Sequence, residues 1–234
     1  MKKIKILIAI FLVGVLNFSC SGDDDGGQNL KVSFLPTKIA VTNGTESVEA
    51  LLNYNTSNQL ESFKVNSIGY EFGYNEDGLI NSLIIDEEGG PVQFNVLYSA
   101  GIISAITRVS DGIDIVITYA DGRYDYEGDS ATFNSQNQLI QRDDGATINY
   151  STQKGPFYAL QAQLVLYLID FDDLFLGYLF ARNEITAMNT DIGNFTFANE
   201  TDSNGNITSS ILIDEADQER FFFTIEYEER IINL

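Results

Sequence analysis

Ile68-Gly-Tyr-Glu-Phe-Gly-Tyr-Asn-Glu-Asp-Gly-Leu-Ile-Asn-Ser-Leu83 is the stretch that decides the fold, because imperfect copies of it run through most of the chain. Ile68, Tyr70, Phe72 and Tyr74 alternate with Gly69, Glu71 and Gly73. That period of two puts the apolar side chains on one face of a strand and the small or charged ones on the other. Asn75-Glu-Asp-Gly78 then ends in an Asp-Gly pair, which tolerates positive φ, and Leu79 begins a returning strand. The unit is a β-hairpin with one apolar face.

Upstream, Leu52-Asn-Tyr-Asn-Thr-Ser-Asn-Gln-Leu60 is a copy. Downstream, Val92, Phe94, Val96 and Tyr98 share a face before Ala100-Gly101, and Ile113, Ile115, Ile117 and Tyr119 share another before Asp121-Gly122. Tyr54, Tyr74, Tyr98 and Tyr119 recur every 20 to 24 residues, the length of a two-stranded unit with its turns. Each tyrosine keeps the parity of the apolar residues before it, so cross-strand core packing is favoured over an exposed carbohydrate-stacking platform. Shorter units continue at Phe133 and Tyr150, and the pattern resumes after Asn183 with Phe195 and Phe197, the turn Asp202-Ser-Asn-Gly205, and strands at Ile207 to Ile213 and Phe221 to Tyr227. Pro36 separates two short runs, Val32 to Phe34 and Lys38 to Val41, which read as edge pieces because proline cannot donate to a central ladder.

About fifteen short strands in meander order exceed what an open twisted sheet carries without curling, roughly ten. The expected fold is therefore all-β, a single antiparallel meander over residues 31–234 that is strongly curved or barrel-like. A two-sheet β-sandwich is the alternative.

Tyr-Asn-Glu-Asp-Gly-Leu-Ile at 74–80 and Tyr-Ala-Asp-Gly-Arg-Tyr-Asp-Tyr at 119–126 resemble degenerate tyrosine-aspartate (YD, or Rhs-type) repeats of Bacteroidota lipoproteins, over roughly 52–150 and 194–227. The Tyr-Asp pair is literal only at Tyr124-Asp125. The resemblance implies a β-hairpin array without catalytic residues and names no ligand.

The meander is interrupted near 157–181 by the most apolar stretch outside the N-terminal segment. Phe157, Leu160, Leu164, Leu168, Phe171 and Phe175 fall at helical spacing after Pro156, which suits a first helical turn. Asp170, Asp172 and Asp173 argue against a membrane span. Val165, Tyr167, Ile169 and Leu176 make the other faces apolar too, so the inserted helical segment is expected to pack against the sheet and fill or cap its concave side.

Residues 1–19 read as a lipoprotein signal peptide: Lys2, Lys3 and Lys5 precede the apolar run Ile6 to Leu16. Cys20, the single cysteine, is the expected lipidation site, and 20–30 is a flexible acidic tether. Asp23, Asp24 and Asp25 resemble the surface-export signal of Bacteroidota lipoproteins. The expected address is the outer membrane, lipid-anchored and facing the exterior, with the periplasmic face as the alternative. Removing the signal takes away three lysines and no acid, so the formal charge moves from −21 to −24. A chain this acidic, with no basic footprint, is not a nucleic-acid binder.

The chain has no histidine, which removes Ser-His-Asp triads and histidine-based metal sites, and with Cys20 given to lipid no thiol nucleophile remains. No cofactor or metal site is expected. Asp202-Ser-Asn204-Gly-Asn206 alternates oxygen ligands in the manner of a calcium loop, but the glycine falls at the fourth position and Ile213 stands where a closing carboxylate belongs, so a hairpin turn is the better reading. The expected function is a surface-tethered, non-enzymatic binding or structural module whose partner is a glycan or protein. The rival is a carboxylate-based glycan hydrolase, for which Asp170, Asp172 and Asp173 are the acids to test first.

Overall fold

The computed structural model describes residues 30–157, 163–170 and 181–233. The repeat unit's two strands are β4 (Ile68–Tyr74) and β5 (Ile80–Glu87). Before them come β1 (Leu30–Thr42), β2 (Ser47–Tyr54) and β3 (Leu60–Val65). After them come β6 (Gly90–Ser99), β7 (Ile102–Arg108), β8 (Ile113–Ala120), β9 (Arg123–Tyr126), β10 (Asp129–Phe133), β11 (Leu139–Arg142) and β12 (Thr147–Lys154). A helix, α1 (Gln163–Asp170), precedes β13 (Asn183–Thr190), β14 (Gly193–Thr201), β15 (Ile207–Asp214) and β16 (Glu219–Asn233). Each strand pairs antiparallel with its chain neighbours, and β1 pairs with β16, so the sixteen-stranded meander closes into one barrel. Closure removes both sheet edges, and the sandwich alternative does not form.

Register explains why the apolar face ends inside. Leu52, Phe63, Tyr70, Ile85 and Val92 stand opposite one another in turn across five adjacent strands, with the Phe63 and Tyr70 rings stacked at 4.2 Å. The first four are buried and Val92 is half-buried. On the other face of the same strands, Leu51, Lys64, Gly69, Asp86 and Pro91 form one row and Asn53, Ser62, Glu71, Ile84 and Gln93 another.

This polarity is the reverse of a membrane-spanning barrel, whose outward band is apolar and whose lumen is polar. An outward Lys at mid-bilayer costs about 2–4 kcal/mol, and the outward wall also carries the exposed carboxylates Glu49, Glu71 and Asp86. Leu51, Leu97, Val116 and Phe222 are exposed as well, so the outward surface mixes charged and apolar side chains.

The helix occupies the lumen. Leu164, Val165, Leu166, Tyr167 and Leu168 are five consecutive buried residues, the mark of a helix covered on all sides. The Tyr167 ring meets Phe133 and Tyr126 edge-on at 5.7 and 6.4 Å, both on the inner face of the wall. The expected helical segment is thus present over α1 and packs against the inner face of the wall; Leu160, Phe171, Phe175 and Leu176 lie outside the described residues.

The edge-strand expectation at Pro36 holds for one of its two runs: Leu30–Pro36 is bonded to β16 alone, whereas Lys38–Thr42 pairs with β16 and β2, and the register with β16 shifts at a bulge between Pro36 and Lys38. A bulge accommodates the missing donor inside a closed sheet.

Candidate functional site

The barrel has two ends. At the near end the chain passes from even- to odd-numbered strands, β1 begins and β16 finishes; the far end carries the other turns. Five tyrosines latch the near end. The hydroxyls of Tyr54, Tyr74, Tyr98, Tyr150 and Tyr227 donate to the carbonyls of Pro36, Leu60, Ile80, Leu139 and Ile207 at 2.6 to 2.9 Å. Each ties the end of one strand to an earlier or neighbouring one. Burial raises the pKa of Tyr54, Tyr74 and Tyr98, the last being pushed up to about 12. These are neutral phenols whose protons are already committed.

The turns next to the latches share one construction. Asn55, Asn75, Asn134 and Asp202 each donate a backbone N–H to the carbonyl four residues on, while the side-chain Oδ1 accepts N–H bonds from within the turn. The fourth turn residue takes positive φ: Asn58, Gly78, Asn137 and Gly205. Asp214 repeats this at the far end, with Asp217 at positive φ. The calcium-like segment is therefore a capped turn. The Asp202 carboxylate accepts the N–H groups of Asn204 and Asn206 and the Asn206 amide, and the Asn206 backbone bond leads the causes that hold its pKa below the usual carboxylate range.

The helical insertion leaves and re-enters the wall through a tight base. Gly155 N–H donates to the Arg182 carbonyl at 2.7 Å and Phe157 N–H to the Ala181 carbonyl at 3.1 Å. A Cβ on Gly155 would lie 2.5 Å from the carbonyl oxygens of Ala181 and Asn183, so only glycine fits. Gln138, 1 % exposed, braces the base: its Nε2 donates to Asn183 Oδ1 at 3.0 Å, and its Oε1 accepts the Asn183 N–H at 2.7 Å. Nothing in the sequence joined Gln138 to a residue 45 positions away, although a glutamine this buried in a polar turn needs such a partner.

Between α1 and the near-end turns lies a cavity of about 430 Å³. Its apolar floor is formed by Leu60, Ile80, Ile103, Leu164 and Val165, its wall by the rings of Tyr74, Tyr98, Tyr119 and Tyr124, and its rim by Ser57, Asn58, Gln59, Asp77 and Asn137. Leu35 of β1 also lines it. The volume is within the range of small-molecule sites, about 300–1,000 Å³. The tyrosines divide accordingly: Tyr54, Tyr70 and Tyr124 are core, whereas Tyr119 is 43 % exposed despite its inward parity, because it stands at the cavity mouth.

The candidate residues from the sequence do not meet at this site. Cys20, Asp23, Asp24, Asp25, Asp172 and Asp173 lie outside the described residues, as does the side chain of Asp170. Among the described residues, the carboxylates whose pKa departs from the ordinary range are Asp111, Asp202 and Asp214, and all three shift downward, each led by a hydrogen bond to the charged form. That direction is opposite to the one a general acid needs. No group of three or more acidic or cysteine residues placed to hold a metal ion occurs among the described residues.

No protein family and no curated protein matches the sequence. Two solved structures similar to the chain are described as porin-like proteins. One, from Bacteroides vulgatus, is 13% identical with a TM-score of 0.44, covering 84% of this chain and 99% of that one. The other, from Bacteroides uniformis, is 14% identical with a TM-score of 0.36, covering 83% and 98%. A third, a structure of TcdB2-TccC3-Cdc42, is 14% identical with a TM-score of 0.20 and covers 76% of this chain but 10% of that one. Nothing about function carries across at such identity.

Proposed function

We propose that this protein is a non-enzymatic binding module of the outer membrane, held there by lipid on Cys20 and facing the exterior, whose water-facing barrel takes a small ligand in the near-end cavity. The observation that carries the reading is that cavity: preformed, walled by aromatic rings and ringed by a few polar groups, among which Asp77 is the charged one, as small-molecule sites are. The outward Lys64, Glu71 and Asp86 support attachment through a lipid rather than through the wall, and the signal-like segment ending at Cys20 supplies the place for it. The YD-type repeat, on this view, is a way of building the wall; its hydroxyl latches and capped turns are structural.

The test is a ligand screen by thermal shift on the Cys20→Ala chain, alongside a Leu79→Trp variant. Leu79 is a half-buried turn residue lining the cavity, and the indole would fill the space. Saturable stabilisation that Leu79→Trp abolishes supports the reading. Release of reducing sugar from a polysaccharide panel, lost when Asp170, Asp172 and Asp173 become Asn, would replace it with the hydrolase.

A further inference from the structure

The cavity's chemistry narrows the ligand class. Its floor is aliphatic, and the wall hydroxyls of Tyr74 and Tyr98 already donate to the Leu60 and Ile80 carbonyls, so the wall offers ring surface to an apolar body. The rim offers amide and hydroxyl groups from Ser57, Asn58, Gln59 and Asn137, and the one charged side chain among the described lining residues, Asp77, is an acid. Among the described residues no lysine or arginine lines the cavity, so an anionic head group would meet no counter-charge from them, in a chain whose formal charge is −21.

Chain direction adds a second, independent observation. β1 enters the barrel at the near end, and its Leu35 is part of the cavity wall. Nine residues separate Cys20 from Leu30, and the ten Cα-to-Cα steps make a contour of at most about 36 Å even when fully extended. A lipid on Cys20 therefore leashes the barrel by the end that holds the cavity.

We infer that the near-end cavity takes a neutral amphiphile drawn from the membrane beneath it, with a single apolar chain against Leu60, Ile103, Leu164 and the tyrosine rings and an uncharged polar head at the Asn58–Asn137 rim. The inference rests on the reading of the chain as a tethered binding module. It goes beyond that reading in naming the ligand and the face it enters.

The experiment measures affinity of the Cys20→Ala chain for monooctanoyl-, monodecanoyl- and monolauroylglycerol below their micellar concentrations, by isothermal titration calorimetry. Laurate and maltohexaose serve as comparisons, and Leu79→Trp as the filled cavity. Each methylene buried is expected to raise affinity about fourfold until the cavity is full. Leu79→Trp is expected to abolish binding with its melting temperature unchanged, and laurate at neutral pH is expected to bind at least tenfold more weakly than its glycerol ester. Affinity that does not change with chain length, or laurate binding as tightly as monolauroylglycerol, overturns the inference. Maltohexaose binding that Leu79→Trp blocks would overturn the amphiphile and leave the binding module standing. Binding of every probe unaffected by Leu79→Trp would remove the cavity from both.

Discussion

Replacing Gly155 with alanine should be among the most damaging single-methyl additions to this protein. The new Cβ would sit 2.5 Å from two carbonyl oxygens and 2.6 Å from the Asn183 carbonyl carbon. All three are backbone atoms, of Ala181 just before β13 and of Asn183 at its start, so no flexible side chain can give way. Relief requires the two strands at the base of the insertion to separate, which strains or breaks the Gly155-to-Arg182 and Phe157-to-Ala181 bonds. Two backbone hydrogen bonds contribute about 1 kcal/mol each, and overpacking strain adds about 1–3 kcal/mol. Partial exposure of Phe157, now 1 % exposed, adds to both. The expected loss is about 3–5 kcal/mol, read from equilibrium urea unfolding of the Cys20→Ala chain. Gly89→Ala is the control, since its Cβ would meet nothing within 4 Å. A Gly155→Ala midpoint within 1 kcal/mol of the parent, with Gly89→Ala equally silent, would refute the steric argument.

The latch and turn constructions give three more expectations. Tyr74→Phe should cost about 1 kcal/mol by removing the donor to the Leu60 carbonyl, and Tyr74→Ala about 3 kcal/mol by also opening a hole; equal costs would mean the hydroxyl contributes nothing. Tyr98 has a folded pKa raised to about 12, above the unfolded value near 10. A raised folded pKa contributes stability that is fully present below about pH 10 and is lost as pH rises through about 12, so alkaline melting should steepen over that window and Tyr98→Phe should flatten it. At Asp202, asparagine should be tolerated because Asn55, Asn75 and Asn134 hold the same place in sister turns, whereas Asp202→Ala should cost about 1–2 kcal/mol; added calcium should leave the melting temperature of the parent unchanged.

Most of the wall was legible because one face of each strand is apolar and the period is two. Ile68–Tyr74 is a strand with the bounds its alternation suggested, and the inward parity of Tyr54, Tyr70 and Phe72 holds. Closure was legible only as a tendency, since the pairing of β1 with β16 joins segments nearly two hundred residues apart and leaves no local pattern. Pro36 was legible in part, since Leu30–Pro36 is bonded on the β16 side alone, while the two-sided pairing of Lys38–Thr42 left no local mark. The cavity was not legible at all. It arises where the near-end turns stand clear of Leu164 and Val165, and spacing along the chain does not encode that gap. Tyr119 carries the same parity as its buried sisters, and its exposure is set by its neighbours across the lumen rather than by its own strand.

The central claim is a water-facing barrel attached to its membrane only through lipid at Cys20, and fractionation of cells expressing the Cys20→Ala chain tests it most directly. The Cys20→Ala protein is expected folded in the soluble fraction without detergent, with the parent in the membrane fraction and labelled by palmitate. Folded Cys20→Ala protein that stays in the membrane fraction through an alkaline carbonate wash, and leaves it only in detergent, would show that the wall itself sits in lipid and would contradict the account.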